Sequence, residues 1–178
     1  SQNPTHTYTN PGTYTVTLKA WNSCGNSATK SASITVSPCP PVTAQFSANV
    51  TTGYAPLTVQ FTDLSTSGVP ITSWLWNFGD GSNSTSQNPT HTYTNPGTYT
   101  VTLTVTNSCG NSATKSASIT VSPCPPVTAQ FSANVTTGYA PLTVQFTDLS
   151  TSGVPITSWL WNFGDGSTST SKNPTHTY

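Results

Sequence analysis

The chain has 178 residues, of which only four lysines and four aspartates are charged, so its net charge is zero. Charged residues make up 4% of the chain, against about 25% in ordinary globular domains, whereas serine and threonine number 25 and 37. The sequence therefore has no basic patch for nucleic acid, no apolar run for membrane insertion, and few residues for acid–base or phosphoryl-transfer catalysis.

An internal repeat organises the chain. Residues 1–93 recur as residues 86–178, an offset of 85 positions, with five differences. The differing pairs are Lys19/Thr104, Ala20/Val105, Trp21/Thr106, Asn83/Thr168 and Gln87/Lys172. Self-similarity at one fixed period predicts a tandem array of units of about 85 residues, and we expect this chain to be a window from a longer array.

Proline-rich segments separate the units. Residues 37–41 read Ser-Pro-Cys-Pro-Pro, and residues 122–126 repeat them. Successive prolines cannot donate ladder hydrogen bonds, and they favour stiff, extended backbone. The predicted domains are the C-terminal half of a unit at 1–38, a complete unit at 41–122 and the N-terminal half of a unit at 126–178.

Alternation of apolar and hydroxyl residues predicts strands along the complete unit, with no helical period. The runs are 42–48, 57–61, 74–78, 98–106 and 116–121. In the fourth run Tyr99, Val101, Leu103 and Val105 share one face, and threonine lines the other. Turn signals rich in glycine, proline and asparagine separate the runs. About seven short strands in 85 residues predict an all-β, two-sheet sandwich.

The two half-units pose a problem of burial. A half sandwich cannot cover its own apolar face. Either the natural chain continues covalently past both ends, or the tail of one chain completes the head of the next. Both alternatives rebuild one unit from residues 126–178 followed by residues 1–38, and both predict a linear, head-to-tail object.

Three motifs in order carry a family resemblance. They are Trp-Asn-Phe-Gly-Asp-Gly at 76–81, Asn-Pro-Thr-His-Thr-Tyr at 88–93, and the run from Pro96 to Asn107. Together they closely resemble the PKD (polycystic kidney disease) domain, although Asn77 stands where the family usually has aspartate. The resemblance implies an immunoglobulin-like β-sandwich, located extracellularly or at the cell surface, that is not itself catalytic.

An even number of cysteines in such a chain suggests disulfides. Cys109 and Cys124 flank a strand and should lie about 30 Å apart, beyond the reach of a disulfide. In an immunoglobulin-like sandwich the last hairpin shares a pole with the chain entry, which favours a Cys39–Cys109 pair. Cys24 and Cys124 would then pair with neighbouring units; the alternative is free or differently paired thiols.

Asparagine sequons are the candidate attachment sites for sugar. Asn49 and Asn134 lie in Asn-Val-Thr, and Asn83 lies in Asn-Ser-Thr. N-linked or O-linked glycans would replace charge as the solubilising group. The alternative is a bare hydroxyl surface on which cross-strand threonine pairs stabilise the sheet.

The complete unit has two acidic side chains, Asp63 and Asp80. We expect Asp80 to cap the Gly-Asp-Gly turn. Calcium is the functional alternative, because some PKD-like domains bind it, but calcium takes six to eight oxygen ligands. Both aspartates are therefore weak calcium candidates, and we expect no other cofactor or metal.

The remaining polar and aromatic candidates favour structural roles. We expect His6, His91 and His176 to pack or to bond within turns, because a catalytic histidine needs an oriented nucleophile and acid. We expect Trp74, Trp76 and Phe78 to lie in the core. Trp21 falls on the outward face, where it could contact a neighbour or a sugar.

The sequence therefore predicts a non-enzymatic, extracellular structural protein, a rod or filament of head-to-tail domains with glycans and with copies of itself as partner. The alternative is a spacer or adhesion module of a secreted hydrolase or cell-surface receptor that binds polysaccharide or protein. That alternative predicts an exposed aromatic platform in each repeat, whereas Trp21 is replaced by Thr106 in the next one.

Overall fold

The computed structural model describes residues 2–178, which contain β-strands and turns and no helix that could cross a membrane. They form two compact units. The first comprises residues 2–51, 58–92 and 98–119, and the second comprises residues 52–57, 93–97 and 120–178. This partition does not follow the three predicted domains, whose boundaries stay a prediction.

The first unit begins with a two-stranded hairpin. Its strands are β1 (Gly12–Trp21) and β2 (Ser27–Val36), paired antiparallel over their full length. Alternation places Val16 and Leu18 on one face, and both are exposed. On the other face the hydroxyls of Thr17 and Ser31 lie 3.1 Å apart. The hairpin thus presents an uncovered apolar face.

Ten strands follow between the two proline-rich segments. They are β3 (Val42–Thr43), β4 (Phe46–Ala48), β5 (Thr52–Tyr54), β6 (Leu57–Asp63), β7 (Thr66–Ser67), β8 (Ile71–Asn77), β9 (Asn83–Ser84), β10 (Thr90–Tyr93), β11 (Gly97–Asn107) and β12 (Ser112–Ser122). One sheet has the order β10-β6-β4, another the order β5-β12-β11-β8-β9, and β3 pairs with β7. The all-β sandwich predicted from the sequence is confirmed.

Aromatic residues of facing strands fill the core of this sandwich. Trp76 of β8 is fully buried, with its ring centroid 5.1 Å from Phe46 and 5.4 Å from Phe61. Phe78 packs 5.6 Å from Phe61, and Leu103 of β11 is buried opposite Trp76 in the strand register. Successive side chains of a strand point to opposite faces, so the alternating pattern places every second, apolar side chain in the core.

Hydroxyl pairs cover the outward face of β11 and β12. The paired oxygen atoms are Thr102–Ser116 at 2.9 Å, Thr104–Thr114 at 3.3 Å and Thr106–Ser112 at 2.9 Å. Cross-strand hydrogen bonds of this kind stabilise a sheet modestly. They occupy the positions where many soluble sheets carry charged side chains.

The rest of the second unit repeats the front half of the sandwich in strands of equal or shorter length. They are β13 (Val127–Thr128), β14 (Phe131–Ala133), β15 (Thr143–Asp148), β16 (Thr151–Ser152), β17 (Trp161–Asn162), β18 (Thr168–Ser169) and β19 (Thr175–Thr177). Strand β17 has two residues, although its counterpart β8 has seven. The strand is shorter because β8 pairs with β11, whereas β17 pairs only with β18 among the described strands.

Gly79 of the Gly-Asp-Gly turn lies close against the backbone of β11. Its φ is +83°, and a Cβ added there would lie 2.7 Å from the Thr100 carbonyl oxygen. The corresponding Gly164 has a φ of +89°, but a Cβ added there meets nothing within 4 Å. Both glycines therefore have a left-handed backbone conformation, but only Gly79 is also packed against a neighbouring strand.

Substitution of these two glycines should separate the two constraints. Gly79→Ala should destabilise its sandwich by about 3 kcal/mol, because left-handed strain and a backbone clash add. Gly164→Ala is the matched control and should cost about 1 kcal/mol locally, from strain alone. Urea titrations followed by the amide NMR signals of β11 and β18 would measure both, and equal costs would contradict the packing argument.

Candidate functional site

The turn between β11 and β12 is built around one buried asparagine. Asn107 is 2% exposed. Its Oδ1 accepts hydrogen bonds from the backbone N–H of Cys109 at 3.1 Å and of Asn111 at 3.0 Å. Gly110 completes the turn with a φ of +86°. The sequence Asn-Ser-Cys-Gly-Asn thus folds as an asparagine-capped turn.

The same turn holds the incoming linker. Asn107 Nδ2 donates to the Pro40 carbonyl oxygen at 3.1 Å and to Ser67 Oγ at 3.2 Å. Asn111 Nδ2 donates to the Pro40 carbonyl oxygen at 2.9 Å. Two side-chain donors therefore satisfy one linker carbonyl, which fixes the linker against the end of the sandwich.

A disulfide closes this arrangement covalently. Cys39 is bonded to Cys109; their Cα atoms are 6.1 Å apart, and the two residues are 70 positions apart in sequence. This is the pair that the sequence analysis expected for the linker and the last hairpin. Cys24 and Cys124 are exposed, free cysteines. We call the disulfide, Asn107, Asn111 and Pro40 the linker clamp.

Gly68 lets the linker approach closely. A Cβ added to Gly68 would lie 2.9 Å from Pro40 Cβ. In the second unit Gly153 stands in the same relation to Pro125, also at 2.9 Å. Each proline-rich linker therefore seats on the domain that follows it through a glycine that leaves room for the ring.

A second polar cluster surrounds the Gly-Asp-Gly turn. Asp80 Oδ1 accepts hydrogen bonds from the Ser82 hydroxyl and from its backbone N–H, the latter at 3.0 Å. Asp80 Oδ2 lies 2.7 Å from His91 Nε2, and the His91 ring stacks on Phe78 at 4.2 Å. Partial burial would raise the pKa of Asp80, but these hydrogen bonds and the His91 ring outweigh it and lower the pKa to about 2.

The arrangement of this cluster does not fit nucleophilic catalysis. In a serine–histidine–aspartate triad the acid and the nucleophile bond to different ring nitrogens. Here Asp80 Oδ2 at 2.7 Å and Ser82 Oγ at 3.4 Å both face His91 Nε2. The acid therefore occupies the nitrogen that would accept the serine proton. The same geometry recurs around Asp165, Ser167 and His176.

Asp63 accepts hydrogen bonds from three protein groups. Its Oδ2 accepts from Trp74 Nε1 at 2.7 Å and from Gln87 Nε2 at 3.2 Å, and its Oδ1 accepts from the Ser65 N–H at 3.0 Å. Burial would raise the pKa of this carboxyl, but the hydrogen bonds lower it overall. Among residues 2–178 no three metal-ligating side chains cluster, and calcium binding by Asp63 and Asp80 stays a prediction.

The three sequon asparagines all lie at the surface. Asn49 Oδ1 accepts from the Gln60 N–H at 2.8 Å, and Asn134 Oδ1 accepts from the Gln145 N–H at 2.8 Å. Both contacts leave Nδ2, the atom that carries an N-linked sugar, outside these bonds. Asn83 is exposed on β9. The positions are therefore accessible, and glycosylation stays a prediction.

The other candidates from the sequence fall into two groups. Trp76 and Phe78 are buried, while Trp74 is half-buried and bonded to Asp63. Trp21 is 65% exposed, with Lys19 Nζ 5.3 Å from its ring centroid. His6 packs edge-on against Tyr8 at 4.7 Å. Sequence reasoning missed the roles of Asn107 and Asn111, although their recurrence around each hairpin cysteine was a visible signal.

The two-sheet architecture, the Gly-Asp-Gly turn and the disulfide together define a β-sandwich module of the kind found in secreted proteins. The PKD domain family model matches residues 1–36, 38–121 and 123–178. The chain belongs to this family, whose members are non-catalytic modules that are typically extracellular or secreted. The disulfide is consistent with that location.

Solved structures similar to part of the chain include two Vibrio domains. The PKD1 domain of Vibrio anguillarum Epp is 30% identical, with a TM-score of 0.42 over 47% of this chain and 95% of that one. The PKD1 domain from Vibrio cholerae metalloprotease PrtV is 39% identical, with a TM-score of 0.41 over 47% and 98%. A third structure, whose title concerns the promiscuous specificity of carbohydrate-binding modules from the β-sandwich superfamily, is 26% identical. Its TM-score is 0.42, and the match covers 62% of this chain and 54% of that chain. No curated protein sequence matches the chain.

Removal of the clamp asparagine should weaken the complete sandwich. Asn107→Ala leaves two partly buried turn N–H groups without their acceptor and removes the buried donor to the Pro40 carbonyl oxygen, and it should cost about 2–3 kcal/mol. Asn22→Ala is the matched control, because Asn22 is exposed and caps the same turn in the N-terminal hairpin; it should cost about 1 kcal/mol or less. Urea titrations followed by the amide NMR signals of β11 and β1 measure both costs, and an unchanged Asn107→Ala sandwich would contradict the assigned role.

Acid should weaken the Asp80 turn. Because the folded pKa of Asp80 lies below the unfolded value, its stabilisation is present above about pH 4 and is lost as pH falls to about 2. Allowing for solvent screening, the loss is about 1 kcal/mol. In Asp80→Asn the free energy of unfolding reported by β10 should no longer fall between pH 4 and pH 2. Urea titrations at each pH measure it. The control Asp165→Asn should leave the β10 profile as in the unmodified chain.

Proposed function

We propose that this chain is a structural segment of an extracellular rod or filament, built from head-to-tail PKD domains, glycosylated and without catalytic activity. The linker clamp is the observation that carries the proposal. A flexible spacer needs only a free linker, whereas here a disulfide, two asparagine side chains and a close glycine contact fix Pro40 and Cys39. Fixed joints between near-identical units favour a regular axial repeat.

The surface supports the same proposal. Cross-strand hydroxyl pairs replace charges on the outward face of β11 and β12, and exposed Asn49, Asn83 and Asn134 stand in sequons. Glycans at these positions would supply the hydration that charge supplies elsewhere. An uncharged surface also favours lateral packing, because neighbouring rods do not repel each other.

The spacer or adhesion alternative receives less support from the surface. An aromatic platform for polysaccharide would recur in each repeat. The exposed Trp21 instead corresponds to Thr106, which pairs with Ser112 across the hairpin. We therefore favour a structural role over carbohydrate recognition.

Electron microscopy of the native material tests the rod or filament. An 11-residue strand spans about 36 Å, so the expected axial period is about 40 Å or a small multiple of it. Isolated particles with a globular head would overturn the proposal. Intact-mass measurement tests the glycans, and a mass equal to that of the peptide would exclude them.

The clamp disulfide should set the stiffness of the filament. Cys109→Ala should shorten the persistence length at least about twofold, because the linker keeps only its hydrogen bonds. Ser108→Ala is the matched control in the same exposed turn and should leave the persistence length unchanged. The curvature of filaments on micrographs of both variants measures this. Equal persistence lengths would contradict the idea that the disulfide stiffens the filament.

A further inference from the structure

A shallow groove recurs beside Trp74 and beside its counterpart Trp159. Its volume is about 480 Å³ in the complete sandwich and about 590 Å³ in the second unit. Each groove is formed within one stretch of the repeat, residues 63–87 or residues 148–172. Three side chains supply its chemistry in each place, namely Asp63, Trp74 and Gln87, and Asp148, Trp159 and Lys172. Both grooves therefore combine a carboxylate with an aromatic ring.

The same hydrogen bond fixes the tryptophan ring in both grooves. Trp74 Nε1 donates to Asp63 Oδ2 at 2.7 Å, and Trp159 Nε1 donates to Asp148 Oδ2 at 2.9 Å. Both tryptophans are half-buried, so part of each ring stays open to solvent. An aromatic ring has a positive edge and a negative face. Because the carboxylate is held at the edge, the face is left for a cation.

The second unit shows which group takes that place. Lys172 Nζ lies over the Trp159 ring, 5.6 Å from its centroid, a separation at which cation–π attraction acts. Hydrogen bonds from Ser150 are the main reason that the pKa of Asp148 lies below its ordinary value, and the charge of Lys172 lowers this pKa further. The groove therefore holds a lysine ammonium group over an aromatic ring and near a carboxylate.

The complete sandwich has the same groove without a cation. Gln87 stands in the position of Lys172, and its Nε2 donates to Asp63 Oδ2 at 3.2 Å. The three donors to this carboxylate are neutral: an indole, an amide and a backbone N–H. In the described part of the chain no cation lies over the Trp74 ring, and Asp63 forms no ion pair. The negative charge of this groove is thus uncompensated.

The charges of the complete unit leave one anion and one cation unmatched. Its charged residues are Asp63, Asp80 and Lys115. Asp80 is already bonded to His91. Lys115 is exposed and forms no ion pair with any residue that the structure describes. Asp63 and Lys115 are therefore complementary charges that two copies of the unit could match.

Lys115 lies on an open edge of the five-stranded sheet. Strand β12 pairs with β11 on one side, and on the other side β5 pairs only with Thr120–Ser122. Residues 112–119 therefore have no neighbour on that side among the described strands. Lysine on an edge strand hinders backbone pairing between sheets. A neighbouring copy can thus meet the Lys115 side chain without the two sheets joining edge to edge.

We infer that the groove beside Trp74 binds the ammonium group of Lys115 from a second copy of this chain, in the position that Lys172 takes over Trp159. The inference rests on the proposed function, because it specifies how neighbouring rods contact each other sideways. One exposed contact of this kind is weak. Rods that carry many such contacts bind much more tightly, since each later contact forms at a high effective concentration.

The inference also explains one of the five differences between the repeats. Gln87 leaves its groove without a cation, whereas Lys172 fills the corresponding one. The residue at this position therefore decides whether a unit accepts a lysine from a neighbour or supplies its own. An array that contains both kinds of unit forms lateral contacts only at some of its repeats.

Cross-linking of mixed isotopic forms tests the contact. The 178-residue chain is prepared with and without ¹⁵N and mixed in equal amounts at millimolar concentration and low salt. A water-soluble carbodiimide then joins carboxylates to nearby amines. We expect peptides that join Asp63 to Lys115 and pair the two labels in about half of the cases. Absence of these peptides, their confinement to one label, or equally frequent links from Asp63 to Lys19 would overturn the inference.

Arginine at position 87 fills the groove without reacting with the carbodiimide. Gln87→Arg should lower the yield of Asp63–Lys115 peptides at least about fivefold, because the chain's own guanidinium takes the place over Trp74. Thr85→Arg is the matched control. It adds the same charge at an exposed position outside the groove and should leave the yield unchanged. Equal losses in the two variants would contradict the groove as the binding site.

The second groove supplies the reverse test. Lys172→Gln should open it, so that peptides joining Asp148 to Lys115 of another copy appear. Lys172→Arg keeps a cation over Trp159 and should yield none of these peptides. The same yield of Asp148–Lys115 peptides from both variants would overturn the inference.

Micrographs of filaments separate this inference from the proposed function. Filaments of Lys115→Gln should stay intact as single rods but no longer lie side by side. Lys115→Arg should keep the side-by-side alignment, because arginine also binds aromatic faces. Equal alignment in both variants would overturn the inference alone. Isolated particles in the native material would overturn the proposed function, and the cross-linked peptides would still decide whether copies meet at this groove.

Discussion

The buried contact between Trp76 and the apolar face of β11 is the interaction on which the complete sandwich depends. Trp76 lies opposite Leu103 in the strand register and packs on Phe46 and Phe61 from the facing sheet. Where β11 and β12 cover this tryptophan, β8 extends to seven residues. Where no hairpin covers Trp161, the corresponding strand shrinks to two. Strand formation therefore follows burial, as expected for sheets whose stability comes from cross-strand and face packing.

Polar side chains act on this framework mainly by fixing turns and joints. Asn107 organises its own hairpin turn and at the same time holds the linker carbonyl of Pro40. Asp80 closes the Gly-Asp-Gly turn with Ser82 and His91. The two carboxylates of the complete sandwich, Asp63 and Asp80, both accept hydrogen bonds from nearby protein groups. These polar side chains therefore stabilise turns and hold the linker against the sandwich.

Much of the fold could be predicted from the sequence because period-two alternation and glycine-rich turns are local signals. The inward positions of Trp76, Phe78 and Leu103 follow from strand parity alone. The Cys39–Cys109 pair followed only after the resemblance had supplied the sandwich, because the two cysteines are 70 positions apart. The linker clamp was missed, since an asparagine in a turn gives no sign of the distant carbonyl to which it donates.

By itself the sequence determined the all-β class, the repeat length and the face to which each strand residue points, because these depend on neighbours along the chain. The tertiary structure alone decided which identical residues are covered. Leu18 and Leu103 have the same local sequence on their N-terminal side, yet one is exposed and the other buried. Burial depends on whether a facing sheet is present, and residues far apart in the chain supply that sheet.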